Sequence, residues 1–301
     1  MRNKKVKDWL ILLLKVVLSL IAIIYVLKKI SLADIAQIIK SAHLLLLGLA
    51  FLLFILSKLM ASFRTLLILN RYGIPISVWD NLKLYWTGMF YNLFLPGGIG
   101  GDVYKTVVIN KMHTNGIKIS AGSVLMDRIG GVTALVVLAL LFIPFTSLYG
   151  QYGWVTYAGV PLTIIGFIGI ILAFMPRLKG IAGKLLGWSF LVQLFQVLAV
   201  LLILGAFSIK NDQPAYLFIF LVSSVAAMLP ISVGGIGIRE LVFLSISDYL
   251  FLDQKVAVAI SLTFYLITVL ASSLGAIPAL ERRKRQEIRN QAAENPGTVR
   301  I

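Results

Sequence analysis

Asn92-Leu93-Phe94-Leu95-Pro96-Gly97-Gly98-Ile99-Gly100-Gly101-Asp102 is the stretch on which the fold turns. It closes an apolar, aromatic segment, Leu82 to Leu95, that is short for a bilayer crossing. Pro96 lacks a backbone donor and the glycines hold a helix poorly, so the segment breaks here. A polar run with Asp102, Tyr104 and Lys105 follows. A second stretch repeats the pattern: Leu229-Pro230-Ile231-Ser232-Val233-Gly234-Gly235-Ile236-Gly237-Ile238-Arg239-Glu240. Gly-Gly-Ile-Gly begins at Gly97 in one and at Gly234 in the other, an offset of 137 residues (234 less 97). In hydrocarbon each unpaired amide costs several kcal/mol, so irregular backbone survives only when wrapped in protein or lining a wet cavity. Two broken segments at matching places in two halves point to a transporter's binding site between them. The alternative is a pair of ordinary turns between spans.

Composition sets the class. Of 301 residues, 59% are hydrophobic and 13% charged, where a soluble domain has about 25% charged. Mean hydropathy is +0.94. Several apolar runs reach the ~20 residues that span a bilayer. The chain reads as an all-α integral membrane protein of about six to eight transmembrane helices, two of them broken and re-entrant in an inverted repeat. Residues 1–281 form the membrane domain, without room for a separate soluble one; 282–301 read as a basic, disordered cytoplasmic tail. The net charge of +16 fits basic cytoplasmic loops and contact with anionic headgroups. Nucleic acid is not expected as a partner, because the basic residues are dispersed and no nucleic-acid motif is present. Cysteine is absent, and His43 and His113 lie far apart. No metal, no cofactor and no thiol or histidine catalysis is therefore expected.

Along the chain, full spans are expected at Trp9–Leu27, Leu44–Phe63, Ala121–Ile143, Trp154–Met175, Leu186–Phe207 and Val256–Leu280. The first is read as uncleaved, since Lys28 and Lys29 follow it rather than a small-residue cleavage site. Lys15 is read as snorkelling from its span; Lys58 is read as snorkelling too, with a cavity-facing position as the alternative. Ile30, Leu32, Ile35, Ile38 and Ile39 give 28–42 the spacing of a surface helix. Arg64, Arg71 and Lys83 are assigned to a basic connection, and 144–153 to a neutral loop. Both tails are basic and are placed in the cytoplasm. With six full spans, the first break then dips in from the cytoplasm and the second from outside. In an eight-crossing alternative, each broken segment pairs with a neighbour to cross.

Glycine loops ahead of helices expose backbone N–H groups to anions, and the helix dipole adds roughly half a positive charge. The loops at Gly97–Gly98–Gly100–Gly101 and at Gly234–Gly235–Gly237 fit a phosphate in this way; close helix packing explains the same glycines. Neither is a nucleotide loop, for the Walker lysine is missing. Asp127-Arg128 and Arg239-Glu240 lie in apolar surroundings, where a charge faces a cavity or a partner. Arg128 and Arg239 suit bidentate phosphate binding, with Asp102, Asp127 and Glu240 to hold them or to bind a cationic headgroup. Asn92 can satisfy backbone groups freed by the first break.

These motifs resemble the lysylphosphatidylglycerol synthase transmembrane-region family, the flippase-like module of the multiple peptide resistance factor. The pattern comprises Asn92, Pro96, Gly97, Gly100-Gly101-Asp102 and Lys105. It continues through Asp127-Arg128, Pro230, Gly234-Gly235, Gly237, Arg239 and Glu240. The full-length resistance factor carries a soluble aminoacyltransferase domain, which is missing from these 301 residues. The resemblance thus implies movement of a lipid between leaflets of the cell membrane rather than synthesis. The cargo would be an anionic or aminoacylated phospholipid, or a polyprenyl-phosphate-linked headgroup. No residue is assigned as catalytic. The alternatives are a lipid-modifying enzyme of the phosphatidylglycerol lysyltransferase type, with Asp102 and Tyr104 as its weak cluster, and a non-catalytic partner of a separate synthase or glycosyltransferase. A homo-oligomer is left open.

Overall fold

A computed structural model describes residues 13, 17, 19–94, 99–113, 116–229 and 235–281. The Trp9–Leu27 span falls partly, and Lys15, Pro96, Gly97, Gly98, Pro230, Gly234 and the 282–301 tail wholly, outside the described residues. The described chain is helical. A helix over 19–29 (α1) and the short α2 (Leu32–Lys40) precede α3 (Leu44–Arg71). Then come α4 (Val78–Phe94), α5 (Gly100–Asn110), α6 (Ile117–Phe142) and α7 (Tyr149–Phe174). The second half holds α8 (Ala182–Ala206), α9 (Gln213–Met228), α10 (Ile238–Tyr249) and α11 (Gln254–Ser273). Five stretches among the described residues are long and apolar enough to cross a membrane: Leu44–Arg71, Ile117–Phe145, Tyr149–Phe174, Pro176–Ala206 and Gln254–Glu281.

Several expected boundaries move. Arg64 lies inside α3 at 5% exposure, not in a connection, because the apolar face continues through Ile68 and Leu69 to Arg71. The 144–153 segment is not a loop: a 3-10 turn, Ile143–Phe145, runs almost directly into α7. The polar run after the first break divides between α5 and α6 at Gly116, whose φ of +88° suits glycine. Ser31 caps α2, which buries Ile35 and leaves Leu32 exposed.

Two cores mark the two ends of the bundle. One gathers Ile68, Leu69, Leu84, Ile109, Val124, Met126, Ile171 and Leu185. The other gathers Ala50, Phe54, Leu135, Ala139, Ile203, Leu204, Phe220, Phe243, Ile260 and Phe264. Helix α3 runs from the second to the first, α6 back again, and α8 in the same sense as α6. Antiparallel α3 and α8 form the central pair: His43 N donates to Ala206 O at one end (3.0 Å) and Arg71 Nε to Arg177 O at the other (2.8 Å).

Each break folds back as a helical hairpin. Helices α4 and α5 pack antiparallel, with the Tyr91 and Tyr104 ring centroids 4.9 Å apart. A Cβ on Gly101 would overlap the Gly88 carbonyl, so the hairpin closes this tightly only with glycine at 101. Helix α10 packs back on α9 in the same way. The α4–α5 hairpin sits in the first core, the α9–α10 hairpin in the second. The two therefore come in from opposite ends. Helices α8, α9, α10 and α11 begin at Ala182, Gln213, Ile238 and Gln254, each close to 137 residues after the starts of α3, α4, α5 and α6. Helix α7 joins the two halves and exposes Leu162 and Ile165 on its outer face.

Gly101→Ala should lower stability by about 1–3 kcal/mol, the usual cost of overpacking. Gly48→Ala, in the same class of helix but with nothing within 4 Å of the added Cβ, should be neutral or gain up to ~1 kcal/mol. Thermal unfolding of both variants in one detergent checks the contrast.

Candidate functional site

The described ends of the two hairpins flank one cavity of about 250 Å³. Asn92, Leu93 and Asp102 line it from the first, Ala227, Met228, Leu229 and Gly235 from the second. Lys58 and Arg64 of α3, Tyr85 and Met89 of α4, Lys105 of α5, Asp127 and Arg128 of α6, and Thr268 and Ser272 of α11 complete the wall. Lys58 lies midway along α3, and Asp127 lies about 15 Å along α6 from its start. The cavity thus sits at mid-height of the bundle, where charge is expensive and persists only with partners or water.

Backbone freed at the first break is satisfied locally. Gly101 N donates to Asn92 Oδ1 (2.9 Å), while Asn92 Nδ2 donates to Asp102 Oδ1 (3.3 Å). Asp102 pairs in turn with Arg128 Nε, so the α5 start is tied to α6. Arg128 Nη1 reaches Met228 O of the second hairpin (3.5 Å). One guanidinium therefore links both tips.

A second ion pair lies in the same wall. Arg64 Nε donates to Asp127 Oδ1 (2.9 Å) and Arg64 Nη1 to Ser189 Oγ of α8 (2.9 Å). Thr65 Oγ1 also donates to Asp127 Oδ1 (3.0 Å). Gly130 and Gly131 of α6 leave space for the Arg64 guanidinium; a Cβ on Gly130 would meet Ser189 Oγ. Asp127, expected to serve Arg128 or a ligand, is held by Arg64 instead. Sequence reasoning missed Arg64 because Phe63 looked like the end of its span. The available signal was the pairing of an arginine and an aspartate, each set in apolar sequence.

Two ammonium groups remain. Lys105 is 6% exposed, with Nζ 4.0 Å from the Tyr85 ring centroid. Lys58 does not snorkel out of its span: it lines the cavity, with Nζ 4.4 Å from the Phe54 ring centroid. Its mid-helix position puts either interface beyond the reach of the side chain. Cation–π contact offsets part of the cost of such burial.

The second motif is built differently. Gly235 lines the cavity with φ +83°, and Gly237 has φ +84° with its N–H donating to Glu240 Oε2 (2.7 Å). Ser261 Oγ donates to Glu240 Oε1 (2.8 Å), so Glu240 caps its own helix and holds no arginine. Arg239 stacks on Phe264 at 5.0 Å rather than lining the cavity, and its buried Nη1 has no hydrogen-bond partner among the described residues. Gly100 stands at the start of α5 beside the tip. Among the described residues no cluster of His, Asp and Glu is suited to a metal.

An apolar cleft of about 410 Å³ lies next to the cavity, between α3, α4 and the end of α11. Ile55, Leu59, Leu82, Trp86 and Ile277 line it, and the Lys83–Glu281 pair (3.2 Å) stands at its mouth. Gly275 packs closely on the Trp86 backbone beside this cleft.

The profile of the lysylphosphatidylglycerol synthase TM region family matches residues 12–184 and 177–275. The chain belongs to that family. No curated protein matches it. Membership in the lysylphosphatidylglycerol synthase TM region family, together with the apolar helices, makes this a multi-pass membrane protein with a lipid-related role.

Asp127→Asn leaves Arg64 buried without its counter-charge and should cost about 3–5 kcal/mol, whereas Arg64→Met with Asp127→Leu should recover most of that loss. Chemical unfolding of the three forms in detergent measures the difference.

Proposed function

We propose that the chain carries a phosphate-headed lipid across the cytoplasmic membrane, with both termini on the cytoplasmic side. The observation that supports this most is the cavity between two oppositely directed hairpin tips, where two ammonium and two guanidinium groups converge at mid-height. Such a site can be reached from either end in turn while its position in the bundle stays fixed. Each re-entrant hairpin would act as the gate on its own side.

In this reading the phosphate replaces water around Lys58 and Lys105. Arg128, already oriented by Asp102, adds a donor face, and Asn92 keeps the tip folded while the site opens. Gly100, Gly101 and Gly235, with Gly97, Gly98 and Gly234 of the tip sequences, let backbone approach the headgroup closely. Pro96 and Pro230, neither able to donate a backbone hydrogen bond, would end their helices at the two breaks. Arg239 would receive the phosphate on the far side, and Gly237 and Glu240 fix the helix start that presents it. The hydrocarbon tail stays in the bilayer, and the cleft between α3, α4 and α11 offers it an apolar surface.

Purified protein in liposomes should accelerate the exchange of a fluorescent phosphate-headed lipid over protein-free liposomes, read by dithionite quenching of the outer leaflet. Lys105→Gln should cut the rate at least tenfold, and Lys255→Gln, on an exposed ion pair with Asp34, should leave it unchanged. No acceleration with any phosphate-headed lipid would end the proposal.

A further inference from the structure

Charge and size in the cavity narrow the cargo, on the assumption that the cavity takes a lipid headgroup as argued above. Four cationic side chains line it, Lys58, Arg64, Lys105 and Arg128, against two carboxylates, Asp102 and Asp127. Both carboxylates are already spent on the two arginines. Neither lysine takes part in an ion pair with a described residue. The tip segments 95–98 and 230–234 contain no ionisable side chain that could change the balance. Nearby Arg239 and Glu240 offset each other. The wall therefore holds two more basic side chains than its carboxylates can pair, at mid-height, where an amine keeps its charge best with an anion beside it.

We propose that the lipid taken into this cavity carries at least two negative charges on its phosphate, as a phosphomonoester or a diphosphate, rather than the single charge of a phosphodiester. A phosphodiester would leave one ammonium without a counter-ion. An aminoacylated lipid would add a cation to a wall that already has two too many. The cavity, about 250 Å³, has room for a phosphate or diphosphate headgroup. Lys58 of α3, Lys105 of α5 and Arg128 of α6 line the one cavity from three helices, and such groups can contact different oxygens of one tetrahedral dianion.

The test is equilibrium binding to the purified full chain in detergent. The probes are dioctanoyl phosphatidic acid, farnesyl phosphate, farnesyl diphosphate, dioctanoyl phosphatidylglycerol, its lysyl ester and inorganic phosphate. The phosphomonoester and diphosphate lipids should bind at least tenfold more tightly than phosphatidylglycerol. Lys58→Gln and Lys105→Gln should each bring that ratio below threefold, and Lys58→Arg should keep it, which separates loss of charge from loss of fold. A preference for farnesyl phosphate over phosphatidic acid would assign the dianion to an isoprenoid, the reverse preference to a diacylglycerol. Inorganic phosphate binding as tightly as the lipids would overturn the lipid assignment. Phosphatidylglycerol or its lysyl ester binding as tightly as phosphatidic acid would overturn the charge assignment. The transport reading fails separately: selective binding of dianions without movement in liposomes removes transport and keeps the charge rule. Movement of phosphatidylglycerol at the same rate as phosphatidic acid does the opposite.

Discussion

Backbone that stops being helical inside hydrocarbon has to find hydrogen bonds from protein or water, and the architecture follows from that requirement. Helices α4 and α5 end against each other, and so do α9 and α10. The first tip is closed by Asn92, which accepts from Gly101 N and donates to Asp102. Asp102 then holds Arg128, and Arg128 reaches the Met228 carbonyl at the other tip. A chain of polar contacts thus runs from one hairpin to the other, around a cavity that water can fill. Removing any member leaves a donor or acceptor in a place where lipid offers none.

Charge at this depth is arranged in two ways with different consequences. Arg64 and Asp127 are paired, given extra hydrogen bonds by Ser189 and Thr65, and tie α3, α6 and α8 together. A pair of this kind fixes helix register more than it adds stability. Lys58 and Lys105 have aromatic faces but no carboxylates. The bundle thus holds, within a few helical turns, one fully paired arginine and two lysines set against aromatic rings.

The two halves are alike in path and unlike in chemistry. Starts near 137 residues apart and opposite helix directions make α3–α6 and α8–α11 inverted counterparts. The acid that begins the α5 motif answers to Arg239 in α10. The α6 carboxylate Asp127 answers to Phe264, on which Arg239 stacks. Ion pairs are thus concentrated in the first half, and the second supplies an arginine over an aromatic ring. The two halves thus repeat one path of helices with different polar side chains along it.

The sequence by itself determined the membrane class, the two breaks and their 137-residue spacing, because proline, glycine and hydropathy act locally. It also marked Asn92, Asp102, Lys105, Asp127 and Arg128, since charge in apolar sequence demands a reason wherever the chain goes. Tertiary structure alone decided the partners. Asp127 goes to Arg64 rather than to its neighbour Arg128, and Lys58 turns inward, because the facing helices α3, α6 and α8 approach closely at Gly130, Gly131 and Ser189. Which cation meets which carboxylate depends on helix rotation and depth, and hydropathy does not encode either; only packing of the finished bundle does.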